Sequence, residues 1–421
     1  MYETTLQHVS PVWNRYTHII IDHAQGVYIY DITGQKYLDF TSGIGVTSTG
    51  HCHPKVVAAI QEQATQLLHG QFNIYFHKPL LNLIEALQPI MPPGLDSFYF
   101  TNSGAECIEA AVKLAKHATG RTNVIVFNGG FHGRTHLTMA MSTSKITLRK
   151  HYQPLVSGVF VAPYPYSYSY GMDDDATTDF CLCELKKLFK GQTSPDETAC
   201  CVIEPVLGEG GYVVPPKRFM QELRQICSEY GILLIADEVQ SGFGRTGKYF
   251  AVEHHEIVPD VMTVAKGIAS GVPISGVITR SELAAKWIPG SHGGTYGGNA
   301  LACAAGVATV KVIREEKLVE NSAARGEQLR ARLKDLRAQF PVMGDVRGLG
   351  LMDAVEFTRN GQPDPETTKA VLAGCLDGGL ILLTCGMFDN VIRWIPPLIV
   401  TAEEIDRGVD IFANALRSVK N

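Results

Sequence analysis

Seven short apolar runs, separated by segments with helical spacing, lie between about residues 95 and 280. They read SFYF, NVIVF, GVFVA, ACCVIEP, ILLIAD, VMTVA and ISGVI. Such continuous runs predict strands that are buried on both faces, because a strand with one solvent-exposed face would alternate apolar and polar residues. Strands that alternate with helices build a largely parallel sheet. The sequence therefore predicts an α/β fold whose ligands bind beyond the carboxyl ends of the strands.

The segments between these runs show where helices begin and end. After SFYF and a tight TNSGA turn, apolar residues recur at helical spacing from Glu106 until Gly120 ends the pattern. The polar MDDDATTD segment from Met172 to Asp179 follows a stretch rich in Tyr, Ser and Pro, and we predict a surface loop there.

The 421 residues are too many for one typical domain, and the character of the sequence changes near residue 310. Charged helical segments are followed there by the strand candidates DVRGLGLMDAVEF and GLILLTC, which predicts a smaller α+β domain. We therefore expect a large domain over 51–309 and a small C-terminal domain over 310–421. Residues 1–50 form an N-terminal segment that we expect to pack with the small domain.

Charge and cysteine usage exclude several classes of protein. Lys plus Arg total 37 and Asp plus Glu total 42, for a net charge of −5, whereas a nucleic-acid-binding protein would show a basic surplus or stripe. No uncharged apolar run reaches the 18 or so residues that a membrane span needs. The ten cysteines are scattered rather than arranged as a disulfide framework, and no basic region followed by an apolar stretch marks a secretory signal. We predict a cytoplasmic protein that binds neither nucleic acid nor membrane.

Two ionisable residues suggest covalent chemistry. Lys266 lies in VMTVAKGIASGVPIS, where the absence of other charges would desolvate its amine, lower its pKa and free it for Schiff-base formation. The same sequence pattern would also surround a lysine whose aliphatic part is buried while its amine reaches solvent. Asp237 ends the run ILLIAD, at the place where a carboxylate could pair with a protonated ring nitrogen of a cofactor, or simply cap a helix.

Two glycine-containing turns could hold the rest of a cofactor. Ser103, Gly104 and Ala105 open the helix after SFYF, and free amides at a helix N-terminus bind phosphate. In GGFHGRTH, Phe131 could stack on a flat ring and Arg134 could bind a carboxylate, although a core Phe and a surface Arg remain possible.

Two competing sites are poorly supported. The GFGRTG segment satisfies a dinucleotide-binding pattern, but DEVQS separates it from the strand and no helix pattern follows. The His and Cys residues of GHCHP and the pair His254 and His255 have no second cluster at zinc spacing, so we predict no metal site.

Taken together, these motifs resemble the class III pyridoxal-phosphate aminotransferases of fold type I, and most of all the 4-aminobutyrate aminotransferases. The resemblance covers nearly the whole chain and rests on ordered segments: YLDFTSGIGV, TGHCHPKVV, FTNSGAE, FHGRTH, IEPVLGEGG, LIADEVQSGFGRTGKYFA, PDVMTVAKGIASGVPISGV, GGTYGGN, GDVRGLG, GLILLTCG and NVIRWIPPL. It implies an α/β large domain with a mostly parallel sheet, a smaller α+β domain and pyridoxal 5′-phosphate as cofactor.

The resemblance also assigns residues to the cofactor. Lys266 would form the Schiff base and carry the proton, and Asp237 would keep the pyridine nitrogen protonated. Val239 and Phe131 would lie on the two faces of the ring, and Gln240 would contact the phenolic oxygen. Thr295 would reach the phosphate from a partner subunit, so the site would lie at a homodimer interface. The remaining expected cofactor contacts are Ser103, Gly104, Ala105 and His132.

For the substrate, the resemblance implies a pocket with two arginines. Arg393 would bind the α-carboxylate of glutamate or 2-oxoglutarate and Arg134 the distal one, while Glu209 would neutralise Arg393 when an ω-amino acid binds. Ile44 would line the pocket. The predicted reaction transfers an amino group from a 4-aminobutyrate-like donor to 2-oxoglutarate. Ornithine, acetylornithine or other ω-amine transaminases and amino-acid racemases or epimerases share the cofactor residues and remain alternatives; a non-catalytic regulator is disfavoured.

Overall fold

A seven-stranded sheet forms the centre of the molecule in the computed structural model, which describes residues 2–419. Its strands, in spatial order, are Ser97–Thr101, Ser275–Thr279, Val261–Val264, Leu233–Asp237, Thr198–Ile203, Asn123–Phe127 and Val159–Ala162. Ser275–Thr279 is antiparallel to both neighbours, and the other pairs are parallel. The mostly parallel sheet predicted from the sequence is confirmed, and every predicted run supplies one strand.

Both faces of this sheet are buried, which explains the continuous apolar runs. In Asn123–Phe127, Val124 and Val126 join a cluster with helix Gly104–Thr119 on one face. Ile125 and Phe127 join the larger core on the other face, which includes the apolar residues of helices Asp174–Gly191 and Lys217–Tyr230. Burying each such side chain contributes roughly 1.5–3 kcal/mol.

Local signals set the ends of these helices. The Ser103 hydroxyl accepts a hydrogen bond from the Glu106 amide at 3.3 Å, and Gly120 ends the same helix in the left-handed conformation, as predicted. The predicted loop at 172–179 is wrong, because helix Asp174–Gly191 begins there. The Asp173 carboxylate accepts from the Ala176 amide at 2.8 Å, and acidic residues in a first turn favour the helix dipole.

Two smaller sheets flank the central one within residues 2–419. The first has strands Ile21–Gln25, Tyr28–Asp31, Lys36–Asp39 and Leu380–Ile381, so the C-terminal part of the chain completes an N-terminal sheet. The second has strands Met343–Leu349, Met352–Arg359, Val391–Trp394 and Leu383–Cys385, with Gln362–Pro363 paired to Met352–Arg359. The predicted domain limits stay a prediction; helix Ala300–Glu315 runs across the expected boundary and packs on Pro54–Ala64 and Lys78–Leu87.

The remaining helices are mostly short or belong to the C-terminal part. The long ones are Leu318–Gln339, Pro365–Asp377 and Ala402–Ser418; the short ones are Glu3–Leu6, Ser42–Gly45, His136–Met141, Ser167–Tyr170 and Ser281–Ala284. Single turns of 3-10 helix occur at Gln88–Ile90, Ile146–Leu148, Ala251–His255 and Lys266–Ile268. Between residues 2 and 419, no helix combines the length and the apolar character needed to cross a membrane.

Candidate active site

Three ionisable residues lie at the carboxyl ends of neighbouring parallel strands. Asp237 is the last residue of Leu233–Asp237, Glu204 follows Thr198–Ile203, and Lys266 lies two residues beyond Val261–Val264. Because these strands are adjacent and parallel, their ends meet at one edge of the sheet, where α/β proteins bind ligands.

Lys266 is held in an unusual backbone conformation beside other charges. Its φ of +45° lies in the left-handed region, which strains a residue with a side chain and occurs preferentially at functional sites. Burial, with a further contribution from the Arg393 charge, lowers the pKa of its amine to about 8, while Asp237, Glu204 and Glu209 oppose the shift. About a tenth of the amine is therefore neutral at pH 7, far more than for an ordinary lysine, and the neutral form is the nucleophile.

Asp237 and His132 form a buried pair. The Asp237 Oδ2 and the His132 Nδ1 are 2.7 Å apart, and the Asp237 Oδ1 accepts a hydrogen bond from the Val239 amide at 3.1 Å. Burial would lower the pKa of His132, but the hydrogen bond and charge of Asp237, helped by Glu204, raise it above its ordinary value. The contact with His132 fixes the orientation of the carboxylate.

Glu204 was not singled out by the sequence analysis. Its two carboxylate oxygens accept hydrogen bonds from the Phe131 and Gly208 amides, each at 2.8 Å, and so tie two loops of the site together. Burial raises the pKa of Glu204 to about 7, opposed by His132 and reinforced by Asp237. The available signal was its place directly after the run ACCVI, equivalent to the place of Asp237 after ILLIA.

The N-terminus of helix Gly104–Thr119 faces the same edge. The backbone amides of Gly104 and Ala105 donate no hydrogen bond within residues 2–419, as expected for the first turn of a helix. A side chain at Gly133, where φ is +133°, would place its Cβ 2.6 Å from that of Ala105. Only glycine lets the FHGRT loop approach the helix this closely.

Gln240 and Ile44 are in contact although they are 196 positions apart in the sequence. The Gln240 Nε2 donates to the Ile44 carbonyl at 3.5 Å, whereas the Gln240 Oε1 is buried without a hydrogen-bond partner in the described part of the chain. Ile44 is 38% exposed and has a φ of +68°, a strained conformation for a β-branched residue. The backbone of Ile44 is thus strained at a position beside Gln240.

Glu209 and Arg393 make the ion pair of the candidate substrate pocket. The Arg393 Nη1 donates to the Glu209 Oε2 at 2.7 Å, and the guanidinium is almost wholly buried while the Glu209 side chain is about one-fifth exposed. The Arg393 Nε has no partner among the described residues. Arg134 is exposed, with its guanidinium carbon 5.2 Å from the centre of the Phe131 ring.

Thr295 lies apart from these groups on the surface of the single chain. It is exposed, and its loop contacts the segment around Gln71: the Gln71 Nε2 donates to the Gly294 carbonyl at 3.4 Å, and the His69 and Tyr296 rings are 5.1 Å apart. Within residues 2–419, no three His, Cys, Asp or Glu side chains are grouped so as to hold a metal ion.

Comparison with known proteins decides the family. The sequence profile described as aminotransferase class-III matches residues 9–416. The chain belongs to the class III aminotransferases. It is 41% identical over 399 residues to a 5-aminovalerate aminotransferase of Pseudomonas aeruginosa and 40% identical over 400 residues to a probable 4-aminobutyrate aminotransferase of Bacillus subtilis. Each alignment covers 94% of this chain and 92% of the relative.

Solved structures agree on the fold of this class III aminotransferase. The PLP-bound crystal structure of an amine transaminase from an uncultivated Pseudomonas species superposes with a TM-score of 0.91 at 29% identity, over 97% of this chain and 98% of that one. The predicted fold type I architecture is confirmed. The cofactor of the family, and of this aminotransferase, is pyridoxal 5′-phosphate (PLP).

The residues of this aminotransferase fit PLP chemically. The two free amides of Gly104 and Ala105 suit a phosphate, and the Lys266 amine suits an aldehyde. The Gln240 Oε1 is buried and has no hydrogen-bond partner among the described residues, so it can accept a hydrogen bond from a ligand. A side chain at position 208 would obstruct this oxygen, since its Cβ would lie 2.5 Å away, and the residue there is Gly208. Asp237, fixed by His132, supplies a buried carboxylate for a ring nitrogen that carries a proton.

Proposed function

We propose that this aminotransferase takes the amino group from an ω-amino acid of the 4-aminobutyrate or 5-aminovalerate type and gives it to 2-oxoglutarate in two half-reactions. The observation that carries the proposal is the ion pair of Glu209 with buried Arg393 at 2.7 Å. With the pair closed, the pocket offers one cation, Arg134, to a substrate with one carboxylate. With the pair open, Arg393 is free for the second carboxylate of glutamate or 2-oxoglutarate.

We assign the cofactor-binding roles to the residues expected from the sequence. Bound PLP supplies an electron sink that stabilises negative charge on the substrate carbon next to nitrogen. Gly104 and Ala105 would bind its phosphate with their amides, and Ser103 keeps the helix N-terminus formed. Val239 and Phe131 would lie on the two faces of the ring, and Gln240 would bind its phenolic oxygen. Val239 is close to the helix N-terminus, since a Cβ at Gly104 would lie 3.0 Å from one of its methyl groups.

The proton chemistry belongs to Lys266 and Asp237. Asp237, oriented by His132, would hold a proton at the ring nitrogen. The neutral amine of Lys266 would condense with the cofactor aldehyde with loss of water. Once the substrate amine has displaced it, the freed lysine would take the proton from the substrate carbon and return it to the cofactor carbon. Glu204 would keep the FHGRT and GEGG loops at a fixed separation through its two amide contacts.

Substitution of Glu209 tests the substrate assignment. In Glu209→Gln, Arg393 stays unpaired when an ω-amino acid binds, so that half-reaction should slow roughly tenfold to thousandfold; breaking a buried pair costs about 3–5 kcal/mol, and partial exposure reduces this. The glutamate half-reaction should change little, because the substrate itself supplies a carboxylate to Arg393. Single-turnover absorbance changes with 4-aminobutyrate and with glutamate measure the two halves separately. Equal slowing of both would contradict the proposal.

A panel of amino donors separates the alternatives that share this cofactor site. With 2-oxoglutarate as acceptor, 4-aminobutyrate and 5-aminovalerate should form glutamate faster than ornithine, acetylornithine or β-alanine. A racemase needs no amino acceptor. Inversion of an α-amino acid without glutamate formation would therefore favour that alternative.

We also propose that the enzyme is a homodimer in which Thr295 reaches the phosphate site of the partner subunit. The loop of Thr295 adjoins a surface with large exposed apolar side chains, including Ile74, Phe76 and Tyr296 at 74%, 78% and 63% exposure. Exposed apolar patches of this kind favour a protein interface. Light scattering should give a species of twice 45.9 kDa; a monomer with full activity would exclude a shared site.

The proposed location is the cytoplasm. All ten cysteines are free, and eight of them are buried where they pack as small apolar residues rather than as disulfide partners. Such thiols are stable in a reducing compartment.

A further inference from the structure

A second cation lies on the far side of the Glu209 carboxylate from Arg393. The Lys145 Nζ is 4.0 Å from the Glu209 Oε1, while the Arg393 Nη1 is 2.7 Å from the Oε2 of the same carboxylate. Lys145 also forms an ion pair with Asp389. Each oxygen of Glu209 therefore faces a different positive charge, one deeply buried and one near the surface.

The backbone of Glu209 is fixed, although its carboxylate lies within reach of both Arg393 and Lys145. The Gly386 amide donates to the Glu209 carbonyl at 2.8 Å, and a Cβ on the next residue, Gly210, would lie 2.5 Å from the Gly129 carbonyl oxygen. The turn is thus locked between two other loops. Rotation of the side chain is the motion left for releasing Arg393.

Lys145 keeps its charge in this position. Burial lowers the pKa of its amine, but Asp389 and Glu209, with a smaller contribution from Tyr16, outweigh burial and raise the pKa above its ordinary value. Its side chain is about one-fifth exposed, as is that of Glu209, so a contact between them would be partly shielded from water. A shielded charge pair is stronger than one in open solvent.

We propose that Lys145 is the alternate partner of Glu209: when a dicarboxylate substrate engages Arg393, the Glu209 carboxylate turns to Lys145. The inference deepens the proposed function and rests on it. Without Lys145, the released carboxylate would stay unpaired next to the incoming carboxylate of the substrate, and their repulsion would oppose binding. Lys145 is therefore a positioning residue that favours the dicarboxylate half of the cycle.

Two unreactive acids test the proposal on the PLP-loaded enzyme. Glutarate carries two carboxylates and pentanoate one, and neither has an amino group, so calorimetry measures binding without turnover. The wild type should bind glutarate more tightly than pentanoate by at least about tenfold, since every 1.4 kcal/mol is a factor of ten. Lys145→Met should weaken glutarate by roughly fivefold to thirtyfold and leave pentanoate within about twofold. Lys145→Arg should restore glutarate affinity.

The outcomes separate this inference from the proposed function. If the wild type does not prefer glutarate, the two-arginine pocket is wrong and the role of Lys145 falls with it. If the wild type prefers glutarate and Lys145→Met keeps the preference, only the role of Lys145 is overturned. Equal weakening of both acids, in Lys145→Met or in the milder Lys145→Gln, would show a structural effect and would also overturn it.

Discussion

Lys266→Ala is expected to abolish turnover, with a loss of about four to six orders of magnitude, because the change removes both the nucleophile and the proton carrier. The structure gives the amine a pKa of about 8 and a strained backbone at the end of a buried strand. Borohydride reduction of the wild-type enzyme should attach the cofactor to Lys266, as peptide mapping would show. A label on another lysine would disprove the assignment.

Lys266→Arg is the matched control, since it keeps a positive charge at the position but offers no amine for covalent bonding. It should be as inactive as the alanine variant. The pH dependence of cofactor capture by the apoenzyme gives an independent measurement. Only the neutral amine attacks, so the rate should rise about tenfold per pH unit below 8 and level off above it. A rate that falls through this range would contradict the lowered pKa.

Asp237→Asn should lower turnover by about two to four orders of magnitude while leaving covalent attachment at Lys266 intact, because the amide cannot hold a proton at a ring nitrogen. The carboxylate is buried, and its contact with His132 at 2.7 Å fixes its orientation. Steady-state turnover, together with borohydride labelling, separates the loss of proton holding from the loss of the cofactor. Turnover within about tenfold of the wild type would exclude the role.

Asp260→Asn is a suitable control for Asp237→Asn. Asp260 is also a buried carboxylate of the central sheet, but it precedes strand Val261–Val264 and pairs with Arg224 at 2.6 Å and Arg280 at 2.8 Å. Its substitution should lower the melting temperature while leaving turnover per folded active site within about threefold. A catalytic effect in both variants would indicate that loss of a buried charge, rather than its position, disturbs the enzyme.

The central sheet could be predicted because its signal is local. Val124 and Val126 pack on one face of the sheet, and Ile125 and Phe127 pack on the other. The uninterrupted apolar run NVIVF predicts such a strand, which is buried on both faces. The segment 172–179 does not form the predicted loop, because the Asp173 cap and the acidic residues of the first turn start a helix there. Local composition could not separate a polar first turn of a helix from a loop.

The candidate site could be predicted only in part, for a different reason. Lys266 and Asp237 stand out by their own neighbours in the sequence. Glu204 also follows an apolar run directly, but its contacts with the Phe131 and Gly208 amides depend on how two loops fold and cannot be read from that run. Lys145 pairs with two carboxylates, Glu209 and Asp389, which are 64 and 244 positions away from it along the chain. No pattern in the sequence indicates that the Glu209 carboxylate lies between two cations.

The left-handed backbone of Ile44 bears on how this enzyme could change its preference among amino donors. This backbone conformation costs of order 1–2 kcal/mol, which glycine would release because it has no Cβ. Replacement of Ile44 by glycine would therefore relieve backbone strain, whereas changes at buried Asp237 or Arg393 would break a buried pair and lower folding stability. We therefore propose Ile44, which is predicted to line the donor pocket, as the position where that pocket can change at the least cost to the residues assigned to the cofactor.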